Sequence, residues 1–201
     1  SFMLLHGFDE GLKIARMGHP ILGMKSVPVE DPSAPEIGYF VDDMIDTLDD
    51  AGGVGLAAPQ VHLPIRLVIF KVPDASAAAE RYRAAGLEVG TEEVPLTVLM
   101  NPVIKAIGNE THAAYEGCLS IPDMSGEVHR PVHIRYTGIG LDGETIEREA
   151  TGFHARVVQH ECDHLDGILY PHRISDMRTF GYNDELRKSL VPKEEAEEDT
   201  P

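Results

Sequence analysis

Gln159-His160-Glu161-Cys162-Asp163-His164 carries an H-E-x-x-H inside an apolar-periodic run. On a helix, residues four apart differ by about 40° of rotation and roughly 6 Å of rise, so His160 and His164 project side by side. Each can then give one ring nitrogen to a single tetrahedral ion. Glu161 points to the flank of that pair, where it reaches a water at the ion rather than the ion itself. With ten histidines in the chain, such a motif arises by chance on the order of a few per cent of the time, so it needs a third ligand to carry weight. Cys118, in Glu116-Gly117-Cys118-Leu119-Ser120-Ile121-Pro122, is a candidate because its flanking glycine and proline let its sulfur face a cleft. A thiolate and two imidazoles leave a fourth position open, as in catalytic rather than structural metal sites. Cys162 lies two residues from each histidine, about 160–200° away around the helix, and cannot join the same ion. It reads as a buried structural cysteine.

The rest of the chain has to position those groups. At 201 residues and 42% apolar composition, it suits one globular domain with one sizeable core. No apolar run approaches the roughly 18 residues that cross a bilayer, and no basic segment followed by a hydrophobic one opens the chain. Ser1-Phe2 ahead of Met3 reads as a processed end, outside the fold. Two cysteines without secretion signals favour free thiols or a metal ligand over a disulfide, so the cytoplasm is the expected compartment. A formal net charge of −17 argues against a DNA-binding surface, which needs a basic face. The run Lys193 to Asp199 has no apolar face and reads as a solvated tail, giving a catalytic domain over residues 1–190 and an acidic, disordered tail over 191–201.

Arg16 to Leu22 reads as an extended segment because Pro20 disfavours helix before it, and His19 as a surface or structural histidine. Ile37, Phe40, Val41, Met44, Ile45 and Leu48 form one stripe of a helix, with Ser33 as N-cap, Pro35 in the first turn and Gly52-Gly53 at the end. Its aspartates face solvent. Gly53 to Gln60 is a glycine-bearing connection that lacks the full dinucleotide-binding pattern. Strands are expected over Ile65 to Val72, Leu96 to Met100, Val103 to Ile107 and Val128 to Gly140. Asp142-Gly143 is a hairpin turn, with Glu144 to Ala150 returning. Asp74 to Gly90 reads as a short helix or excursion. Thr151 caps the H-E-x-x-H helix, Gly167 closes it, and Ser175 to Leu190 is weakly helical.

Three blocks, in order, resemble the motifs of the peptide deformylase family: Gly53-Val54-Gly55-Leu56-Ala57-Ala58-Pro59-Gln60, Glu116-Gly117-Cys118-Leu119-Ser120, and Gln159-His160-Glu161-Cys162-Asp163-His164. The likeness runs from about residue 12 to residue 175. It implies an α+β fold, a compact single domain of mixed, mostly antiparallel sheets packed around a central metal-binding helix. It also implies removal of the formyl group from N-formylmethionyl nascent peptides. Carried over, Cys118, His160 and His164 would bind one divalent metal ion, Fe2+ in the cell with Zn2+, Ni2+ or Co2+ as substitutes. Glu161 would be general base and then acid. Gln60 and the backbone N–H of Leu119 would hold the oxyanion, while Gly55 and Gly117 would meet the substrate backbone. Phe153 and Val157 would wall an apolar pocket.

Departures from the family pattern also stand out. Gly23 follows Leu22 where many members carry arginine. Arg156 stands where compact bacterial members are apolar, and with Arg178-Thr179-Phe180 it looks closer to the mitochondrial-type branch. Arg156 lies four residues before His160, so it either narrows or recharges the methionine pocket or makes a surface ion pair. Some relatives dock to ribosomal RNA through a basic C-terminal helix, and the acidic tail here suits that contact poorly. A general metalloprotease fits the Cys118 block badly. A non-catalytic formyl-peptide binder would not need Glu161 or Gln60, and a structural zinc module would need a fourth protein ligand.

Overall fold

The computed structural model describes residues 12–73 and 93–189. A helix α1 (Pro35–Ala51) leads into β1 (Gly55–Ala57), a single 3-10 turn (Ala58–Val61), and β2 (Leu67–Val72). Then come β3 (Val94–Ala106), β4 (Thr111–Cys118), β5 (Ile121–Pro131), β6 (His133–Ile139) and β7 (Thr145–Thr151). The helix α2 (Gly152–Leu165) follows, and β8 (Gly181–Tyr182) and a short α3 (Asn183–Lys188) close the described chain. Five strands pair in the order β1-β2-β3-β6-β7 and three in the order β4-β5-β8. Each paired strand runs antiparallel to its neighbour.

The two long helices cover opposite faces of the five-stranded sheet, and β2 shows why. Successive side chains of a strand point to opposite faces. Val68, Phe70 and Val72 pack with Val157, Val158 and Leu165 of α2. Leu67 and Ile69 pack with Val41, Met44 and Leu48 of α1. β2 is therefore apolar at every position but Lys71, because both of its faces are buried. The stripe read from α1 is the one it buries, with Met44 and Leu48 fully enclosed. A third cluster joins the three-stranded sheet to the segments beside it through Ile121, Val128, Leu169 and Tyr170. The α+β class, its antiparallel sheets and the helix at its centre match the sequence reading.

Several boundaries differ. Pro20–Gly23 is a 3-10 turn rather than extended chain, capped by His19, whose Nδ1 accepts from the Ile21 N–H at 3.1 Å. Ala34, not Ser33, is the N-cap of α1, and Thr151 precedes α2 without a side-chain cap bond. Leu96 to Met100 and Val103 to Ile107 are one strand, β3, with a register shift between Met100 and Val103. Asn101 absorbs the extra residue at φ 50°, a conformation asparagine tolerates better than most. Its side chain also pairs with the Val29 backbone, accepting at 2.8 Å and donating at 3.1 Å. Val128 to Gly140 divides at the Pro131 junction into β5 and β6, which belong to different sheets. β4 has no clear sequence signal, because its eight residues alternate weakly. The Asp142-Gly143 turn stands as expected. Ser175 to Leu190 holds a 3-10 turn, β8 and α3. The excursion from Asp74 and the acidic tail lie outside the described residues.

Candidate metal centre and catalytic cleft

The helical spacing of α2 brings the His160 and His164 rings to 5.3 Å between centroids. Cys118 arrives from elsewhere, at the last position of β4 before the two-residue turn into β5. Its Sγ lies 3.5 Å from His164 Nε2, and the three ligand atoms all fall within 4.8 Å of one another. Bond lengths of about 2.3 Å to sulfur and 2.0–2.1 Å to nitrogen, at a tetrahedral angle, place those end atoms about 3.5 Å apart. The donor set therefore fits a single ion. Cys162 is a free, buried thiol on another side of the helix, and burial raises its pKa strongly. It takes no part in the cluster.

His160 is oriented from behind. Its Nδ1 lies 2.8 Å from Glu116 Oε1, which leaves Nε2 for the metal side. Glu116 in turn receives Arg130 through two bonds, Nε to Oε2 at 2.6 Å and Nη2 to Oε1 at 2.9 Å. Burial pushes the Glu116 carboxyl up, but the bonds from Arg130 and His160 outweigh it and hold the group well below the usual carboxylate range. Arg130 Nη1 also reaches Asp163 at 3.0 Å, and Arg173 holds that carboxylate by a further pair of bonds. Burial lowers the His164 pKa, which favours the neutral ring that coordination requires. Tyr170 stacks against the His160 ring, with centroids 6.1 Å apart.

Glu161 is 5% exposed. Its Oε1 sits 3.8 Å from His160 Nε2, and its buried Oε2 has no hydrogen-bond partner among the described residues. Desolvation pushes its carboxyl up to about 7, a value suited to giving and taking a proton near neutrality. Gln60 is buried in the 3-10 turn after β1. Its Oε1 accepts from the Ala57 N–H at 2.9 Å, which aims Nε2 at Ser120 Oγ (3.0 Å) and Cys118 Sγ (3.5 Å).

These groups open onto a cleft of about 880 Å³. Gly55, Gly117 and Leu119 border it, and Val157 and Phe153 line it from α2, one and two turns before His160. Arg156 borders it as well, yet it is 5% exposed and makes no surface ion pair, which corrects that alternative. Its Nη1 donates to Glu116 Oε2 at 2.6 Å and to the Val128 carbonyl at 2.9 Å, and its Nη2 donates to the His112 carbonyl at 2.7 Å.

Of the predicted site residues, all but His164 line this cleft, and His164 stands beside it in contact with Cys118. Sequence reasoning assigned no role to Glu116, Ser120, Arg130, Asp163 or Arg173. For Arg130 a signal exists: Gly126, Val128 and Arg130 occupy the inward positions of β5, and an arginine on an inward face calls for a buried partner. Nothing in the spacing names Glu116 as that partner.

The chain resembles known proteins over most of its length. A model of the family described as polypeptide deformylase matches residues 11–180. A peptide deformylase 1 of Bordetella pertussis is 46% identical over 185 residues, spanning 89% of this chain and 96% of that protein. One from Nitrosomonas europaea is 46% identical over 173 residues, spanning 86% and 93%. The structure of a peptide deformylase from Acinetobacter baumannii with Met-Ala-Ser bound superposes with a TM-score of 0.72 at 34% identity, covering 83% of this chain and 100% of that one. One from Thermotoga maritima gives 0.68 at 34% identity, covering 84% and 100%.

Proposed function

The chain belongs to the polypeptide deformylase family, and we propose that Cys118, His160 and His164 hold the ion, and Glu161 the proton, with which it performs that family's reaction. The enzyme removes the formyl group from the N-terminal formylmethionine of newly made polypeptides and releases formate. One water is consumed. Its oxygen joins the formyl carbon, the carbon–nitrogen bond breaks, and the amine departs with a proton.

The observation that carries the assignment is the convergence of one sulfur and two ring nitrogens within 4.8 Å, with the Glu161 carboxylate beside them. A divalent ion bound there supplies Lewis-acid polarisation and a more acidic water. Glu161 takes the proton from the attacking oxygen and later delivers it to the leaving nitrogen. Gln60 Nε2 and the Leu119 N–H are the donors for the formyl oxygen as charge grows on it. Gly55 and Gly117 let the substrate main chain approach, and Phe153 and Val157 offer an apolar wall to the methionine side chain. Glu116 keeps His160 turned correctly from behind.

Iron(II) is our choice for the ion in the cell, with zinc, nickel or cobalt able to replace it, since thiolate and imidazole accept all four. We place the enzyme in the cytoplasm, where nascent chains emerge. No described helix is long and apolar enough to cross a membrane. Residues 1–190 form the catalytic domain and 191–201 an acidic tail, which disfavours lasting contact with ribosomal RNA. The test is formate release from formyl-Met-Ala-Ser by anaerobically prepared protein, beside Glu161→Ala and Cys118→Ala. One ion per chain and turnover that Glu161→Ala abolishes are expected. Full turnover in Glu161→Ala, or unchanged metal affinity in Cys118→Ala, would overturn the assignment.

A further inference from the structure

Arg156 has more partners than a pocket wall requires. A carboxylate offers about four lone-pair sites, and those of Glu116 are all taken. Oε1 faces His160 Nδ1 and Arg130 Nη2, and Oε2 accepts from Arg130 Nε and Arg156 Nη1. Arg130 is not committed to Glu116 alone, because Asp163 pulls on its third nitrogen. Arg156 is the second cation on that carboxylate, and it also bonds the carbonyls of His112 in β4 and Val128 in β5. It therefore ties α2, which bears both histidines, to the β4–β5 hairpin that carries Cys118 at its turn.

Resting on the metal-site reading above, we propose that Arg156 is a positioning residue for the metal centre. It locks the Glu116 carboxylate in the orientation that faces His160 Nδ1, and it fixes the separation between the histidine helix and the Cys118 hairpin. Its charge is thereby spent inside the protein on Glu116 and not offered to substrate. Without it, Glu116 Oε2 keeps one donor, and Arg130 must hold the carboxylate against the competing pull of Asp163. His160 then gains freedom about its ring axis. Partners that orient a metal-bound histidine typically affect metal affinity by about 10–100-fold.

Cobalt(II) is the probe, because its visible absorption reports both the geometry of the ion and its thiolate bond. Wild-type protein and Arg156→Leu are loaded with cobalt, their spectra compared, and their affinities measured by chelator competition. Metal held about 10–100-fold more weakly, a shifted spectrum, and a lower kcat with unchanged KM for formyl-Met-Ala-Ser are expected. In Arg156→Lys, one ammonium cannot serve Glu116 and two carbonyls at once, so affinity should fall between the two. If Arg156→Leu does not fold, Arg156→Lys decides alone. Wild-type cobalt affinity and spectrum in the folded variants would overturn the proposal, as would a changed KM and side-chain preference with an undisturbed metal site. Failure of the metal-site reading itself looks different, since wild-type protein would then show no thiolate band on binding cobalt.

Discussion

A methyl group added at Gly55 would lie 2.7 Å from Cδ and 2.8 Å from Cγ of Glu161. Real Cβ atoms do not approach that closely, so the bare backbone of β1 is what leaves the Glu161 carboxylate its place. Glu161 is buried and cannot swing into solvent. Gly55→Ala should therefore displace it, and a misplacement of about 1 Å costs on the order of 10²-fold in rate. Formate release measured at equal metal content tests this, and a variant turning over like wild type would refute it.

The Glu116 cluster predicts acid lability. The folded-state pKa of Glu116 lies below its ordinary value of 4.5, so the folded protein binds this proton less readily than the unfolded chain. Its contribution to stability is then complete above the unfolded value and is lost as pH falls through the usual carboxylate range and below. Glu116→Gln should lower stability at neutral pH and flatten the loss between pH 5 and pH 3, as followed by urea midpoints. An acid limb as steep in the variant as in wild type would contradict the assignment.

Gln60 reaches the site with Nε2 already aimed by its bond to the Ala57 N–H. Removing one donor from an oxyanion site typically costs about 10²–10³ in kcat. Gln60→Leu should show a loss of that order in single-turnover assays, while still taking up one equivalent of metal. A kcat within a few-fold of wild type would remove Gln60 from the reaction.

Asn101 should matter for stability and not for chemistry. Replacing it with alanine deletes both bonds to the Val29 backbone and puts a less tolerant residue at φ 50°. The expected cost is about 1–3 kcal/mol in urea unfolding, with kcat/KM for formyl-Met-Ala-Ser unchanged. An unaltered urea midpoint would show that the bulge holds itself.

Close spacing was readable directly from the residues. The His160–His164 pair is a consequence of helical pitch, so four residues of sequence suffice to place two imidazoles side by side. The apolar stripe of α1 and the Asp142-Gly143 turn are local in the same sense. So is the exclusion of Cys162, which helix rotation alone points elsewhere. Likeness of the three motif blocks to a known family supplied the roles proposed for Gln60 and Leu119, which no periodicity contains.

Tertiary structure decided what depends on strand register and on charge partners far apart in the chain. Arg130 reads from the sequence only as a member of an alternating strand, and Glu116 only as a neighbour of Cys118. Antiparallel pairing of β4 with β5 sets Glu116 opposite Gly126, and packing of α2 against that hairpin brings His160 and Arg156 to its carboxylate. The same packing leaves Arg156 on the border of the cleft and buries its guanidinium against Glu116. A side chain's partner is whichever group folding leaves within reach, and burial makes an unpaired charge too costly to keep. That choice is made between segments, and spacing within one segment cannot encode it.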